Sequence, residues 1–326
     1  MAIVTGSTIS YGVGSAGGNR EDIENEIWEL DPTDFYALTN FEKVSGSAVF
    51  HEWLLDTVVG VTANRQLEGD SEAYVSIVSP TRVGNYHQIS RKSFLVSRTQ
   101  EKIAKAGRKS EGARQMVKQM RELKNDMEYA LVRNQASSAG GATTARSSAG
   151  MESWIATNEV LGTTTSTATT AGFAAGVVAA PTDAATTTEL AALTIGTLKS
   201  ALQGAWSSGG HASVILTSST QKEVIDGLTS IATRNVELSR TQQAVIHGAS
   251  NLIVTSYGTH KVVLHRHVRT SVVLCVDPEF WSISFLDRPT VQQMAKTSDG
   301  NKYMMITEFC LVSRNQAASG KVVSLS

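Results

Sequence analysis

The chain has 326 residues, of which 41% are hydrophobic and 18% are charged, and its formal net charge is −1. This length and apolar content suffice to bury a core, which excludes a disordered protein, and a net charge near zero argues against a general nucleic-acid coat. There is no apolar run of about 18 residues and no basic, apolar leader, so the sequence predicts neither a membrane span nor secretion. We therefore expect the protein to be synthesised and to begin its function in a cytoplasm.

The charge is divided into two opposite blocks. Thirteen of the first 72 residues are acidic and three are basic, whereas residues 82–133 contain thirteen basic and five acidic residues. Such blocks can pair within one chain or between copies, and pairing between copies indicates a protein that assembles with itself. We interpret the basic block as a solvated helix face and a partner for the acidic block, in preference to a site that contacts DNA.

The N-terminal third is predicted to be extended and strand-rich. Residues 1–19 are rich in Gly, Ser and Thr and predict an extended tail. Apolar residues at helical spacing among acidic ones predict a short acidic helix over residues 20–30. Alternating patterns predict strands at 74–78 and 93–97, joined through turn residues at 80–85. This excursion has little apolar surface, so we expect docking on a neighbouring molecule to stabilise it.

The longest predicted helix covers residues 111–134, with Ser110 as its N-cap and apolar residues at intervals of three and four. Residues 136–188 are rich in Ala, Thr, Gly and Ser, interrupted by an apolar anchor at 151–155. The least complex part, residues 162–188, predicts an exposed or flexible insertion with a domain boundary within or beside it.

Helices and strands are mixed after residue 189. We predict helices at 194–207 and 220–232, and turn residues at 257–259 and 298–301 predict two hairpins. The irregular order of these elements predicts an α+β fold instead of a βαβ series. The strands are predicted at 214–216, 252–255, 261–265, 272–276, 283–286 and 303–312.

Neither the glycine motif near the N-terminus nor the two cysteines favour a functional site. Gly12, Gly14 and Gly17 satisfy the G-x-G-x-x-G pattern, but the preceding residues are polar and the following ones are acidic, which disfavours phosphate binding. Cys275 and Cys310 lie in apolar runs, as free buried cysteines do in a reducing compartment.

Metal and catalytic motifs give no better support. His265 and His267 share one face if 261–267 is a strand, but without a third ligand we favour an exposed strand face over a metal site. His51-Glu52 lacks the second histidine of a zinc-protease motif. Because no nucleophile, phosphate-loop or C-x-x-C motif occurs, we predict a structural protein without catalytic activity or cofactor. An amide crosslink between lysine and asparagine of adjacent subunits needs no contiguous motif and stays open.

Short motifs of one protein family are spread over the chain, most densely over residues 20–134. They are Asp31-Pro32-Thr33, His51-Glu52-Trp53, Glu68-Gly69-Asp70, Gly84-Asn85-Tyr86-His87-Gln88-Ile89, Arg91-Lys92-Ser93-Phe94-Leu95-Val96-Ser97, Thr99-Gln100-Glu101, Ala106-Gly107-Arg108, Ser110-Glu111, Glu122-Leu123-Lys124, Asp126-Met127-Glu128, Trp154-Ile155 and Arg288-Pro289. On these motifs the sequence resembles the major capsid proteins of tailed bacteriophages, specifically the SU10-like branch.

The resemblance implies the Hong-Kong-97-type capsid fold. In that fold the chain would form an N-terminal arm (1–48) and an extended β-hairpin loop (49–97). A peripheral domain with a long spine helix and the insertion would follow (98–189), then an axial domain (190–285). Residues 286–326 would return to the sheet of the peripheral domain.

The implied function is a major capsid protein that self-assembles, as hexamers and pentamers, into the icosahedral head shell of a tailed double-stranded DNA phage in the host cytoplasm. The implied partners are a portal, packaged double-stranded DNA on the inner face, and separate scaffolding or decoration proteins, since no charged helical domain precedes residue 20. The alternatives are an encapsulin-like compartment of the same fold, a nucleotide-dependent enzyme using the glycine motif, and a surface adhesin, which would require a secretion signal.

We predict that weak contacts between charged groups of adjacent subunits drive assembly, because such contacts form reversibly. Arg82, Arg91 and Lys92 are expected to pair with carboxylates of neighbouring copies. The full set of candidate contact residues is Glu21, Asp22, Glu24, Glu52, Asp56, Arg82, Arg91 and Lys92.

Overall fold

Two β-sheets, one long helix and two separate two-stranded hairpins organise the chain. The computed structural model describes residues 22, 24–58, 60–61, 63–69, 71, 74, 77, 79–162, 172–181, 190–228, 251–296 and 298–326. The helices are α1 (Tyr36–Asn40), α2 (Arg98–Lys102), α3 (Glu111–Val132), α4 (Met151–Trp154), α5 (Ile195–Ser207) and α6 (Ser219–Gly227). The strands are β1 (Glu42–Ser45), β2 (Phe50–Leu55), β3 (Thr81–Tyr86), β4 (Gln88–Ser97), β5 (Glu159–Leu161), β6 (Gly172–Ala174), β7 (Val177–Ala179), β8 (Val214–Thr217), β9 (Leu252–Thr255), β10 (Gly258–Leu264), β11 (Val273–Val276), β12 (Trp281–Met294), β13 (Gly300–Ser313) and β14 (Gly320–Val323).

The first sheet has four strands in the order β1-β12-β13-β4. β1 is parallel to β12, and the other two pairings are antiparallel. The register of the long β12–β13 ribbon shifts on both sides of Asp287, which leaves Arg288 and Pro289 without register partners. Such irregularities bend a strand and redirect its side chains.

Helix α3 lies against the first sheet. The hydroxyl of Ser110 accepts a hydrogen bond from the N–H of Ala113 at 3.2 Å, which caps the helix at the predicted residue. Its 22 residues span roughly 33 Å at about 1.5 Å per residue. Leu123, Met127 and Leu131 are buried where the helix packs on β4 and β13.

The second sheet has six strands in the order β5-β14-β11-β8-β10-β9 and separates two apolar cores. On β8, Val214 and Leu216 belong to the core shared with α3 and the first sheet, whereas Ile215 belongs to a core that includes side chains of α5 and α6. On β11, Leu274 belongs to the core shared with α3, and Cys275 belongs to the core of α5 and α6. Strands buried on both faces read as continuous apolar runs, which is why these two were recognisable from sequence.

Most helices and strands predicted from residue 111 onwards are confirmed. The helices predicted at 111–134 and 194–207 are α3 and α5, and the helix predicted from 220 is α6, which ends at Gly227. Each predicted strand from 214 to 312 coincides with a strand of the structure, and hairpins join β9 to β10 and β12 to β13. The α+β class is therefore confirmed. Of the described helices, none has the length and hydrophobicity needed to cross a membrane.

The predicted acidic helix over residues 20–30 is wrong for the part that is described. Residue 22 and residues 24–30 are not helical. Like charges at helical spacing, such as Asp22 with Glu26 and Glu26 with Glu29, destabilise a helix. Trp28 and Leu30 are also exposed, so no packed apolar face offsets that repulsion.

The predicted turn at 80–85 is also wrong, because residues 81–86 form β3 and pair with β2. Tyr74 and Ile77 are not in a strand, and residues 75, 76 and 78 lie outside the described residues. The strand predicted at 93–97 is part of β4, but it pairs with β13 in the first sheet. Tertiary pairing and the burial of Val83 outweigh the local turn preference of Gly84 and Asn85.

Part of the low-complexity insertion is folded onto the body. Residues 172–181 contain the β6–β7 hairpin, in which Val178 is fully buried and the ring of Phe173 stacks on Trp154 with centroids 6.1 Å apart. The expectation of an exposed or flexible insertion is therefore wrong for this part. Residues 163–171 and 182–189 lie outside the description.

The C-terminal strand differs from the expectation for residues 286–326. β12 and β13 lie in the first sheet, but β14 joins the second sheet between β5 and β11. The end of the chain therefore ties the two sheets together.

Gly150 tests the close packing of α4 against the end of α3. A Cβ at this position would lie 1.8 Å from the carbonyl oxygen of Arg133, so Gly150→Ala must displace backbone. We expect a loss of about 3 kcal/mol or more in the free energy of unfolding, measured by urea denaturation of the unassembled chain. Gly141→Ala is the matched control, because no atom lies within 4 Å of its added Cβ. Equal stabilities of the two variants would contradict this packing.

Candidate assembly surface

The N-terminal segment is anchored at its C-terminal end by a buried carboxylate. We call residues 24–35, which precede α1 without regular structure, the arm segment. The carboxylate oxygens of Glu128, on α3, accept hydrogen bonds from the N–H groups of Ala37 at 2.6 Å and Leu38 at 2.9 Å. These are N–H groups of the first turn of α1, which have no partner within the helix. Glu128 therefore fixes the point from which the arm segment departs.

The same carboxylate contacts the second sheet. His265, just after β10, donates from Nε2 to Glu128 Oε1 at 3.0 Å, and both side chains are fully buried. The backbone N–H of His267 donates to His265 Nδ1 at 3.2 Å, so Nδ1 is the acceptor of the ring and Nε2 the donor to Glu128. Burial, and secondarily the charge of Glu128, raises the pKa of Tyr36 to about 12.

A second anchor holds the β2–β3 hairpin. The side chain of Asn85 is fully buried and donates to the carbonyl oxygen of Leu311 at 2.7 Å, while its own oxygen accepts from the N–H of Ala149 at 2.9 Å. His87 lies 3.2 Å from the Ser284 hydroxyl, and burial lowers its pKa. The base of the hairpin is thus bound to the first sheet and to the chain before α4.

The two strands of this hairpin are separated in the chain by residues 56–80, which we call the loop segment. None of its described residues is in a helix or strand. Seven large apolar side chains of the loop and arm segments are at least 80% exposed: Trp28, Leu30, Val58, Val61, Leu67, Tyr74 and Ile77. The expectation that this excursion has little apolar surface is therefore wrong, whereas its docking on a neighbouring molecule stays a prediction.

The acidic block pairs partly within its own chain. Asp31 lies 3.4 Å from Arg121, and Asp34 lies 3.2 Å from Arg266. Glu42 pairs with Arg314. These three carboxylates have basic partners in the same subunit, so part of the acidic block pairs within one chain, and its pairing between copies stays a prediction.

The predicted basic contact residues differ in their surroundings. Lys92 lies 2.8 Å from Asp126 and 4.0 Å from Glu122 on α3. Arg82 lies 3.7 Å from Glu52 across the hairpin. Arg91 is exposed, and no described residue forms an ion pair with it. The structure therefore gives Arg82 and Lys92 partners in their own chain and leaves Arg91 available.

The predicted acidic contact residues are exposed where they are described. Asp22 and Glu24 have no ion pair with any residue of the described ranges, and Asp56 accepts a hydrogen bond from the N–H of Thr57 at 2.9 Å. Glu21 lies outside those ranges. The contacts between subunits remain a prediction for these residues.

The histidine pair is structural. His265 is buried, so the predicted exposed strand face is wrong, and His267 Nε2 lies 2.8 Å from Asn125 Oδ1. No group of three or more candidate metal ligands occurs in the described part of the chain. The glycine motif at residues 12–17 lies outside that part.

Cys275 and Cys310 are free and buried, as predicted. Burial raises the pKa of the Cys275 thiol to about 12 and also raises that of Cys310.

Sequence reasoning missed Glu128, Asn85 and His265, the residues that hold the bases of both segments. A signal for Glu128 existed, because this carboxylate lies beside the apolar stripe of α3, next to Met127 and two residues before Ala130. For Asn85 and His265 no local pattern distinguishes a buried polar side chain from a turn or surface residue.

A long helix against a four-stranded sheet, a second sheet, an extended arm and a projecting hairpin define a Hong-Kong-97-type capsid protein. The chain is similar to the solved structure described as the cyanophage A-1(L) capsid asymmetric unit, with a TM-score of 0.65, 14% identity, and 94% and 97% of the two chains covered. It is similar to a structure of Gordonia phage Cozz, with a TM-score of 0.59, 13% identity and coverage of 100% and 97%. A structure of phage G major capsid and decoration proteins gives a TM-score of 0.55, 10% identity and coverage of 94% and 95%.

The model of the SU10 major capsid protein family matches residues 5–326, and the chain belongs to this family. Comparison with curated protein sequences gives no match. The chain is therefore a structural protein that assembles into the head shell of a tailed phage, and the family match favours this function over the compartment, enzyme and adhesin alternatives.

Glu128 is expected to be essential for the folded subunit. Glu128→Ala leaves His265 and two N–H groups of α1 buried without their acceptor, which we expect to reduce the free energy of unfolding by about 3–5 kcal/mol. Urea denaturation of the unassembled chain measures this loss. Asp126→Ala is the control on the same helix, since it removes only the part-exposed pair with Lys92 and should cost less than about 1 kcal/mol. A Glu128 variant as stable as the control would contradict the anchor.

Proposed function

We propose that each subunit of the shell is completed by its neighbours through the arm segment and the loop segment. One observation carries this proposal: the described large apolar side chains that are at least 80% exposed all lie in these two segments. Outside the arm, the loop and the hairpin that carries the loop, the most exposed large apolar side chain of the described residues is Val254, at 69%. Exposed apolar patches of this kind mark interaction surfaces.

The energetics favour docking over a free state. Burying one large aliphatic side chain contributes about 1.5–3 kcal/mol, so even partial coverage of the seven exposed residues exceeds the gain from an exposed ion pair. Charged groups then select the register between subunits. Arg91, exposed and without an ion pair in the described residues, is the basic residue most available for such a contact.

Family membership supports the further features of this proposal. The shell, built from hexamers and pentamers, encloses packaged double-stranded DNA, joins a portal, and assembles in the host cytoplasm by association and rearrangement without catalysis. Scaffolding or decoration proteins are separate chains; the phage G structure contains decoration proteins beside its capsid proteins. In domain terms, residues 1–48 act as arm, 49–97 as extended loop, 98–189 with most of 286–326 as peripheral domain, and 190–285 as axial domain.

Two apolar residues of the loop segment test the proposal. We expect Val61→Ser combined with Ile77→Ser to fold normally, because both side chains are solvent-exposed in the isolated chain. Particle yield, measured by sedimentation and electron microscopy, should fall by about tenfold or more, since each docked side chain contributes about 1.5–3 kcal/mol and about 1.4 kcal/mol corresponds to a tenfold change in association.

Val254→Ser on β9 is the control, because it removes an exposed apolar side chain outside the proposed contact segments. Thermal unfolding of the unassembled chains should be the same for wild type and both variants. Normal particle yield from the double loop variant would overturn the role of the loop segment.

A further inference from the structure

A basic cleft is lined by residues of α1, α3, β1 and β12, and Phe35 is the one arm-segment residue in its lining. Its volume is about 400 Å³, and its apolar wall is formed by Phe35, Leu38, Met127 and Phe285. The other lining residues are Thr39, Lys43, Lys124, Arg288 and Pro289. Arg288 and Pro289 lie at the register shift of β12, where the irregular strand departs from its ladder.

The cleft is positively charged without compensation. Lys43, Lys124 and Arg288 come from β1, α3 and β12 and are all exposed. None of them forms an ion pair with a described residue, and no carboxylate is among the lining residues. Three cations converging on an apolar wall favour a ligand that carries both negative charge and apolar or aromatic groups.

The arm segment of the same chain is held elsewhere. Asp31 lies beside Arg121, and the arm shares a separate depression with Lys118 and Asn125 of α3. Further along, Ile27 is so close to Gly107 that an added Cβ there would lie 2.8 Å from it. The chain therefore runs along another face of α3, leaving Trp28 81% exposed. The cleft is open for a second molecule.

We propose that the basic cleft receives the arm segment of a neighbouring copy, with Trp28 against the apolar wall and Glu24 or Glu26 beside Lys43 and Lys124. This inference rests on the proposed function, in which arm and loop contact neighbouring subunits, and it assigns the docking site of the arm. Residues 22–31 contain five acidic and no basic residues, whereas the loop segment carries four acidic residues and Arg65. Charge and aromatic content both favour the arm.

Disulfide trapping in assembled particles tests the contact directly. Trp28→Cys combined with Thr39→Cys places one thiol on the arm and one at the cleft, while the native thiols of Cys275 and Cys310 are buried and unreactive. After mild oxidation, a denaturing gel without reductant should show a ladder of linked chains. Trp28→Cys with Ser200→Cys, an exposed position on α5, is the control and should show no ladder.

Charge reversal gives an independent readout. Lys43→Glu with Lys124→Glu should lower particle yield by about tenfold, because like charges then face each other, and adding Glu24→Lys with Glu26→Lys should restore most of it. Lys199→Glu, exposed on α5, is the control and should leave the yield unchanged.

Three results would overturn the assignment. A fast-migrating monomer in place of a ladder would mean that the arm fills the cleft of its own chain. A ladder from Val61→Cys with Thr39→Cys, and none from Trp28→Cys, would assign the cleft to the loop segment. Loss of packaged DNA in the Lys43→Glu, Lys124→Glu variant, without a ladder from the arm pair, would identify nucleic-acid phosphate as the ligand. These results can be distinguished from failure of the proposed function. The Val61→Ser, Ile77→Ser variant tests the role of the loop segment in assembly separately.

Discussion

The buried carboxylate of Glu128 is the interaction on which the arrangement of the subunit depends. It lies on α3 and accepts hydrogen bonds from two N–H groups of α1. A third hydrogen bond comes from His265, beside the second sheet. A buried charge is tolerated only where hydrogen bonds replace its hydration, and here three donors from distant parts of the chain do so. One carboxylate on α3 thereby links the end of the arm segment to the second sheet.

The acidic block does not depend entirely on a neighbouring subunit for its basic partners. Part of the acidic block is neutralised within the subunit, by Arg121 and Arg266, and these contacts fix the course of the arm instead of leaving it free. Two segments remain available for contact with a neighbouring subunit: the acidic, Trp28-containing stretch that precedes Asp31, and the loop segment with its exposed aliphatic residues. In the proposed contacts, therefore, exposed apolar side chains supply most of the stabilisation and charged groups select the partner.

The sequence predicted those elements whose local pattern agrees with their tertiary environment. Helix α3 has both a capping serine and an apolar stripe, and β8 and β11 are apolar throughout because each of their faces lies in a core. The predictions are wrong where contacts between residues far apart in the chain determine the local structure. Residues 81–86 carry turn preferences yet form a strand because β2 pairs with them. In the described part of the helix predicted for residues 20–30, Trp28 and Leu30 are exposed, so their burial does not stabilise a helix.

The candidate site was predictable only in part for the same reason. Charge blocks are visible in a sequence, but the basic cleft is assembled from β1, α3 and β12, which are far apart in the chain. The exposure of Val58, Val61 and Ile77 likewise reflects that none of the described elements of the same subunit covers them. Apolar residues in a loop give no sign in sequence of whether their own chain covers them.

The acidic residues of the arm segment disfavour contact between two arm segments, because like charges repel. A segment that exposes Trp28 and Leu30 to water is liable to associate with any apolar surface, including another arm. Carboxylates at Glu24, Glu26 and Glu29 surround these side chains, so two arms repel each other and only a positively charged, apolar surface binds one favourably. If the arm docks as proposed, the cleft supplies both properties at a place that the subunit's own arm leaves open. The same charges then keep the free subunit soluble and make the contact selective, and because each contact is modest, an incorrectly placed subunit can dissociate before the shell closes.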